Sequence, residues 1–217
     1  MTGARLPRLW LIADRGHQPD DVSLFAKLDA MRPHLAGAAG DVGVIERDHT
    51  GLADRARLAR LEALAELLRS VGAPLWVNRR ADLALAVGAR GVVAMGASLD
   101  LATLRSNFKE LECCASCHTS DELARAAADG ARFALLAPVF NPSSKPPERP
   151  PLGLDGLRAI ASDAPLPLVA LGGIDSAHVT QALAAGAHGV AILGGIFGAP
   201  APAEALATAL TALPKAR

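Results

Sequence analysis

Tyrosine is missing from this chain of 217 residues, and five Phe and two Trp are its only aromatic residues. So few rings lead us to expect a core filled by Ala, Val, Leu and Ile, which suit the inside of a small barrel. Cysteine is scarce. Cys113, Cys114 and Cys117 form an odd, tightly clustered set, which argues against a disulfide framework. Cys114 and Cys117 make a C-x-x-C, but no second Cys/His pair stands at zinc-ligand spacing, so apolar filling of a buried strand is expected ahead of metal or redox chemistry. An excess of one charge is also lacking: 22 Lys and Arg balance 22 Asp and Glu. No basic stripe is interleaved with aromatics, so nucleic acid is not an expected partner. No apolar run reaches the ~18 residues of a membrane span. Met1 to Arg8 lacks the apolar region and cleavage site of a signal peptide. No membrane partner and a cytoplasmic location are therefore expected.

What the chain does have is alternation. Eight short apolar runs, Leu9–Asp14, Val42–Arg47, Pro74–Asn78, Gly91–Met95, Glu112–Cys117, Arg132–Val139, Leu166–Leu171 and His188–Leu193, are each followed by an Ala/Leu/Arg-rich helical pattern. The clearest helices are Leu52–Val71 (Leu58, Leu61, Leu64 and Leu68 at helical spacing), Asp121–Ala128, Leu154–Ala161, Ala177–Ala185 and Ala203–Leu210. Four helices run into the same ending, at Gly72-Ala73, Gly88-Ala89, Gly130-Ala131 and Gly186-Ala187. Glycine there supplies the left-handed cap that stops a helix before the next strand. Unbroken apolar runs alternating with helices imply parallel strands buried on both faces. Eight such units favour an α/β fold of the (β/α)8 TIM-barrel class, one domain over residues 1–217, for which roughly 200 to 250 residues suffice. The competing doubly wound sheet would carry a Gly-rich loop after its first strand. Arg15-Gly16-His17-Gln18-Pro19 is not one. The Ala-rich exterior is compatible with a homodimer.

In a barrel the site lies at the C-terminal ends of the strands. Strand 7 runs into Gly172-Gly173 and strand 8 into Gly194-Gly195. Paired glycines at these two places match the usual phosphate position, where backbone N–H groups approach phosphate oxygens. His118, directly after strand 5, is either an acid/base group or, with Thr119 and Ser120, a cap for the next helix. Arg47, His49, Arg79 and Arg80 would give the mouth a positive rim. Among the mouth carboxylates Asp14, Asp48, Asp100 and Asp175, Asp100 reads as the cap of the helix Leu101–Asn107, and no metal-holding pair stands out. The Pro-rich stretch from Phe140 to Gly153 is long for a barrel connection and reads as a lid or as a tolerated insertion.

These segments, taken in order, resemble the thiamin phosphate synthase / TenI (thiazole tautomerase) family along the whole chain. Leu9-Trp10-Leu11-Ile12-Ala13-Asp14 resembles L-Y-L-I-T-D. Glu46-Arg47-Asp48-His49 resembles the Q-x-R-E-K segment, with Arg47 matching its Arg, Ile45 standing for the Gln and His49 for the Lys. Trp76-Val77-Asn78 resembles I-V-N-D-D, Ser116-Cys117-His118-Thr119 resembles S-x-H-[ST], and Ala137–Pro146 resembles G-P-V-F-P-T-x-T-K-P. Leu152-Gly153 resembles the closing L-G, and Leu171-Gly172-Gly173-Ile174 resembles the G-G-I phosphate loop.

The resemblance implies one of two activities on a small-molecule thiazole phosphate. A synthase joins hydroxymethylpyrimidine diphosphate to it and holds Mg2+ on Asp residues after strands 3 and 4. A TenI tautomerase lacks those carboxylates and isomerises the thiazole by proton transfer. Here the carboxylates after the Asn are Arg79 and Arg80, and the G-Q-E-D after strand 4 reads Gly96-Ala97-Ser98-Leu99. The departure leads to the expectation of a metal-independent thiazole tautomerase without a cofactor. His118 is its acid/base, Arg47, Asn78, Ser116, Ser144 and Lys145 bind substrate, and Gly172, Gly173, Gly194 and Gly195 bind phosphate. The synthase, with Mg2+ needed only in that case, is the alternative. A non-catalytic binder of thiamin-pathway phosphates is the second alternative.

Overall fold

The structure is a computed structural model that describes residues 5–18, 20–48, 50–95, 99–141 and 149–214. Eight parallel strands close into one barrel in the order of the chain, with β1 paired to β8. The strands are β1 (Leu9–Asp14), β2 (Val42–Arg47), β3 (Leu75–Asn78), β4 (Gly91–Ala94), β5 (Glu112–Cys117), β6 (Phe133–Leu136), β7 (Leu168–Leu171) and β8 (Gly189–Ile192). Around them lie α1 (Asp21–Gly37), α2 (Asp54–Val71), α3 (Ala81–Ala86), α4 (Leu101–Asn107), α5 (Ser120–Ala128), α6 (Gly153–Ser162), α7 (Val179–Ala184), the short α8 (Gly194–Phe197) and α9 (Pro202–Thr211). The fold is a TIM barrel, as the alternation predicts. Gly72, Gly88, Gly130 and Gly186 all have positive φ, so the repeated Gly-Ala is the turn from helix to strand. Among the described residues no helix is long and apolar enough to cross a membrane.

Strand periodicity sorts the side chains into two layers. Leu9, Leu11, Val44, Val77 and Val92 face outward into the shell shared with the helices. Trp10, Ile12, Ile45, Trp76, Val93, Cys114, Phe133, Leu135 and Val169 fill the interior. That interior corrects one expectation. Three of the seven aromatic residues gather at its centre instead of ceding it to aliphatic side chains. Trp10 stacks on Phe133 at 4.8 Å between ring centroids, and Trp76 meets Phe133 edge-on at 5.0 Å. Two glycines make the space: a Cβ on Gly43 would lie 2.6 Å from the Trp10 ring, and one on Gly91 would lie 2.6 Å from the Trp76 ring. The three cysteines are free and buried. Burial pushes the Cys114 thiol well up, which makes it an inert filler rather than a nucleophile.

The shell carries one charged cluster. Glu46 alternates with Ile45 and Arg47, so it points outward beneath α2, where it is fully buried. Arg57 Nη2 lies 2.8 Å from one Glu46 oxygen and Arg60 Nη1 2.7 Å from the other. Arg57 also donates to the Asn78 carbonyl at 2.9 Å, and Arg60 Nε stands 2.8 Å from Asp21 of α1. Burial pushes the Glu46 carboxyl up, against the pull of Arg57 and Arg60. One carboxylate therefore ties β2, the end of β3, α1 and α2 together behind the mouth.

Candidate active site

The same alternation that sends Trp10 and Ile12 inward sends Asp14 inward at the end of β1. Asp14 pairs in register with Arg47 at the end of β2. The Asp14 side chain is fully buried, and Arg47 Nε donates to its Oδ2 at 2.7 Å while Nη2 closes on the same oxygen. This couple fixes the guanidinium at the mouth. Asn78 ends β3, and the β2–β3 register, continued by one residue, places it beside Arg47. Asn78 is 5% exposed, and its Oδ1 has no hydrogen-bond partner among the described residues. Such a buried acceptor costs free energy until a donor arrives, which a bound ligand would supply.

On β5 the inward parity runs Cys114, Ser116 and then His118, so Ser116 and His118 share the mouth side of the strand. Thr119 settles the capping question, because its hydroxyl accepts from Glu122 N at 3.2 Å at the start of α5. His118 is left to other contacts. Its backbone N–H donates to Glu122 Oε2, and its ring Nδ1 lies 2.5 Å from the Ala137 carbonyl. A carbonyl only accepts, so Nδ1 carries the proton and Nε2 is the nitrogen available for proton transfer.

The two Gly-Gly turns have a packing role that the sequence does not reveal. Val139 N and Phe140 N donate to the carbonyls of Leu171 and Gly172, each at 2.9 Å, so the chain leaving β6 runs on beside the end of β7. A Cβ on Gly173, at φ 64°, would lie 2.6 Å from the Asn141 carbonyl oxygen. A Cβ on Gly195 would lie 2.7 Å from Asp175 Cα, so the turns after β7 and β8 touch through backbone. Gly194 and Gly195 begin α8, where Ile196 N and Phe197 N are the first to donate, both to Leu193 O, at 3.3 and 3.0 Å. Their amides therefore precede the helix's own hydrogen bonding. The Pro-rich stretch is pinned at its feet by Leu152 N to Pro138 O and Gly153 N to Val139 O, each at 2.9 Å. Ser144, Lys145 and His49 lie outside the described residues.

The expected positive rim is largely neutralised from within. Arg47 is matched by Asp14. Arg80 is held by Asp82 and Asp54, which push its guanidinium pKa further up. Arg79 is exposed, and among the described residues its side chain has no hydrogen bond or ion pair.

Magnesium, which the resemblance implies for a synthase, is held by one or two carboxylates together with substrate phosphates and water. Each carboxylate near the strand ends is already engaged. Asp14 binds Arg47, Asp54 and Asp82 bind Arg80, and Asp100 caps α4 through Thr103. Asp175 holds Ala177 N and His178. Asp48 accepts from Thr50 and Leu52; burial raises its pKa, but those hydrogen bonds outweigh it and hold the carboxyl below its usual range. Among the described residues no group of three or more His, Cys, Asp or Glu could hold a metal. The described residues do not fit a bound divalent cation.

Residues 19–196 match the family model described as thiamine monophosphate synthase. A thiamine-phosphate synthase of Chloroflexus aurantiacus is 34% identical over 196 residues, covering 88% of this chain and 86% of that protein. One from Roseiflexus castenholzii is 35% identical over 179 residues, covering 82% and 77%. Among solved structures, thiamine phosphate pyrophosphorylase from Pyrococcus furiosus superposes with a TM-score of 0.79 at 26% identity, covering 94% of each chain. With a family model matched over most of its length and relatives more than 30% identical over most of theirs, the chain belongs to the thiamine monophosphate synthase family.

Proposed function

We propose that this enzyme is a thiamin phosphate synthase, joining a pyrimidine diphosphate to a thiazole phosphate and releasing diphosphate. The observation that carries the reading is the nearly whole-length likeness to relatives named for that activity. It favours the synthase over the tautomerase expected from the missing carboxylates. Arg47, oriented by Asp14, and Asn78 hold the diphosphate side of the mouth, and Ser116 binds substrate from β5. The amides of Gly172, Gly173, Gly194 and Gly195 receive the thiazole phosphate where the last two strands end. Ser144 and Lys145 belong to the diphosphate grip by resemblance alone.

One observation favours the tautomerase as a second reading. The His118 ring is anchored through Nδ1, leaving Nε2 as a base, while guanidinium replaces carboxylate after β3. The test is an assay of purified protein with the pyrimidine diphosphate and the thiazole phosphate, with product detected as fluorescent thiochrome. Product that falls away in Lys145→Ala is the expected result. Absence of product, together with turnover of the thiazole carboxylate phosphate tautomer that His118→Ala abolishes, would replace the synthase with the tautomerase.

A further inference from the structure

The disagreement between the mouth and a bound metal has a structural counterpart in Arg79. Among the described residues Arg79 is the one non-glycine residue with positive φ, at 66°. Arg80 N donates to Asn78 O at 2.9 Å, closing a γ-turn around it, and Arg79 N donates to Val93 O at 3.0 Å. Such turns are rare and strained, and a non-glycine residue persists in one only where its surroundings hold it there. The strain falls on an exposed arginine directly after Asn78, whose own Oδ1 is buried and unpartnered. Arg80, next along, is occupied by Asp54 and Asp82. Of the cations at this edge, Arg79 is therefore the one whose charge no described carboxylate cancels.

We propose that Arg79, with the Asp14-anchored Arg47, binds and neutralises the diphosphate in place of a divalent cation, so that this enzyme works without metal. The inference rests on the synthase reading for its reaction. In that reaction the thiazole nitrogen lone pair forms the new C–N bond to the pyrimidine methylene carbon. The C–O bond to diphosphate breaks, and its electron pair leaves on the diphosphate oxygen. No proton needs to move, so the protein's task is to stabilise the departing anion. A planar guanidinium does this with two parallel N–H donors and needs no carboxylate to hold it.

The experiment is calorimetric titration of inorganic diphosphate into the purified protein in EDTA and again in Mg2+, alongside the thiochrome assay under both conditions. Binding in EDTA with little change on adding Mg2+ is expected. In Arg79→Asn the affinity should fall by about tenfold or more, the worth of one charge-assisted hydrogen bond. Asparagine tolerates positive φ better than most residues, so the turn survives and the loss reports charge. Arg79→Asp should abolish binding in EDTA and restore it in part with Mg2+. Diphosphate binding that requires Mg2+ in the unaltered protein, or an Arg79→Asn variant that binds as the original does, overturns the inference whether or not product forms. Metal-independent binding lost in Arg79→Asn supports the anion site even if no thiamin phosphate is made, in which case only the synthase reading falls.

Discussion

At the scale of single residues, the Asp14–Arg47 couple shows how a buried charge becomes a positioning device. A fully buried carboxylate is tolerable only when paired and hydrogen-bonded. Here two guanidinium nitrogens close on one of its oxygens, which leaves the outer part of Arg47 facing the mouth. Lysine keeps the charge but not the planar fork. Arg47→Lys should raise the KM for the pyrimidine diphosphate by about tenfold, with a smaller effect on kcat, because one charge-assisted contact is lost. Steady-state kinetics with the thiazole phosphate saturating would show it, and an unchanged KM would remove Arg47 from the diphosphate site.

Between elements, the Glu46 cluster joins β2 to α2 and, through Arg60 and Asp21, to α1. Removing one member of a buried ion network leaves the others uncompensated, at a cost of about 3–5 kcal/mol. Glu46→Gln leaves Arg57 without a carboxylate and Arg60 with Asp21 alone, and should lower stability by about that amount in urea unfolding. A change within about 0.5 kcal/mol, the usual range for surface substitutions, would mean that the network contributes no more than solvated charge. The contact between the turns after β7 and β8 works at the same scale. Gly195 lets α8 sit against Asp175, so the two glycine pairs are shaped by packing before any ligand arrives.

Across the whole molecule, the closed barrel divides into an aromatic floor around Trp10, Trp76 and Phe133 and a polar mouth at the opposite strand ends. Its stability should depend on pH from the floor side. His188 precedes β8, and its Nε2 lies 3.3 Å from the Leu6 carbonyl. Burial pushes its pKa below the ordinary 6.5. The unfolded chain therefore binds the proton more readily than the folded one. This contribution is complete above 6.5 and is lost as pH falls from there through the lower folded value. Urea midpoints should drop as pH is taken from about 7 to about 5 and drop less in His188→Gln. Equal slopes in the two proteins would assign the acid sensitivity elsewhere. Asp82, held below its usual range mainly by Arg80, adds its loss only in the more acidic carboxylate range.

Much of this was legible in the chain itself. The run of eight apolar segments dictated the barrel, because parallel strands buried on both faces need unbroken apolar runs and each crossover needs a helix. The Gly-Ala turns and the Asp100 cap could be read because they depend on neighbours within a few residues. The position of His118 just past the fifth apolar run likewise put it at the mouth, and the family resemblance added Asn78 and Ser116. What the sequence left open is whatever depends on partners far along the chain. Asp14 and Arg47 are 33 residues apart, and Arg80 and Asp54 are 26 apart. No local pattern could therefore show that the expected positive rim cancels most of its own charge. Nor could composition place the few rings together, since Trp10, Trp76 and Phe133 meet only when the barrel closes. The motif order determined the family. The tertiary structure decided which cation at the mouth no described carboxylate pairs, because electrostatic pairing follows distance in space and not in sequence.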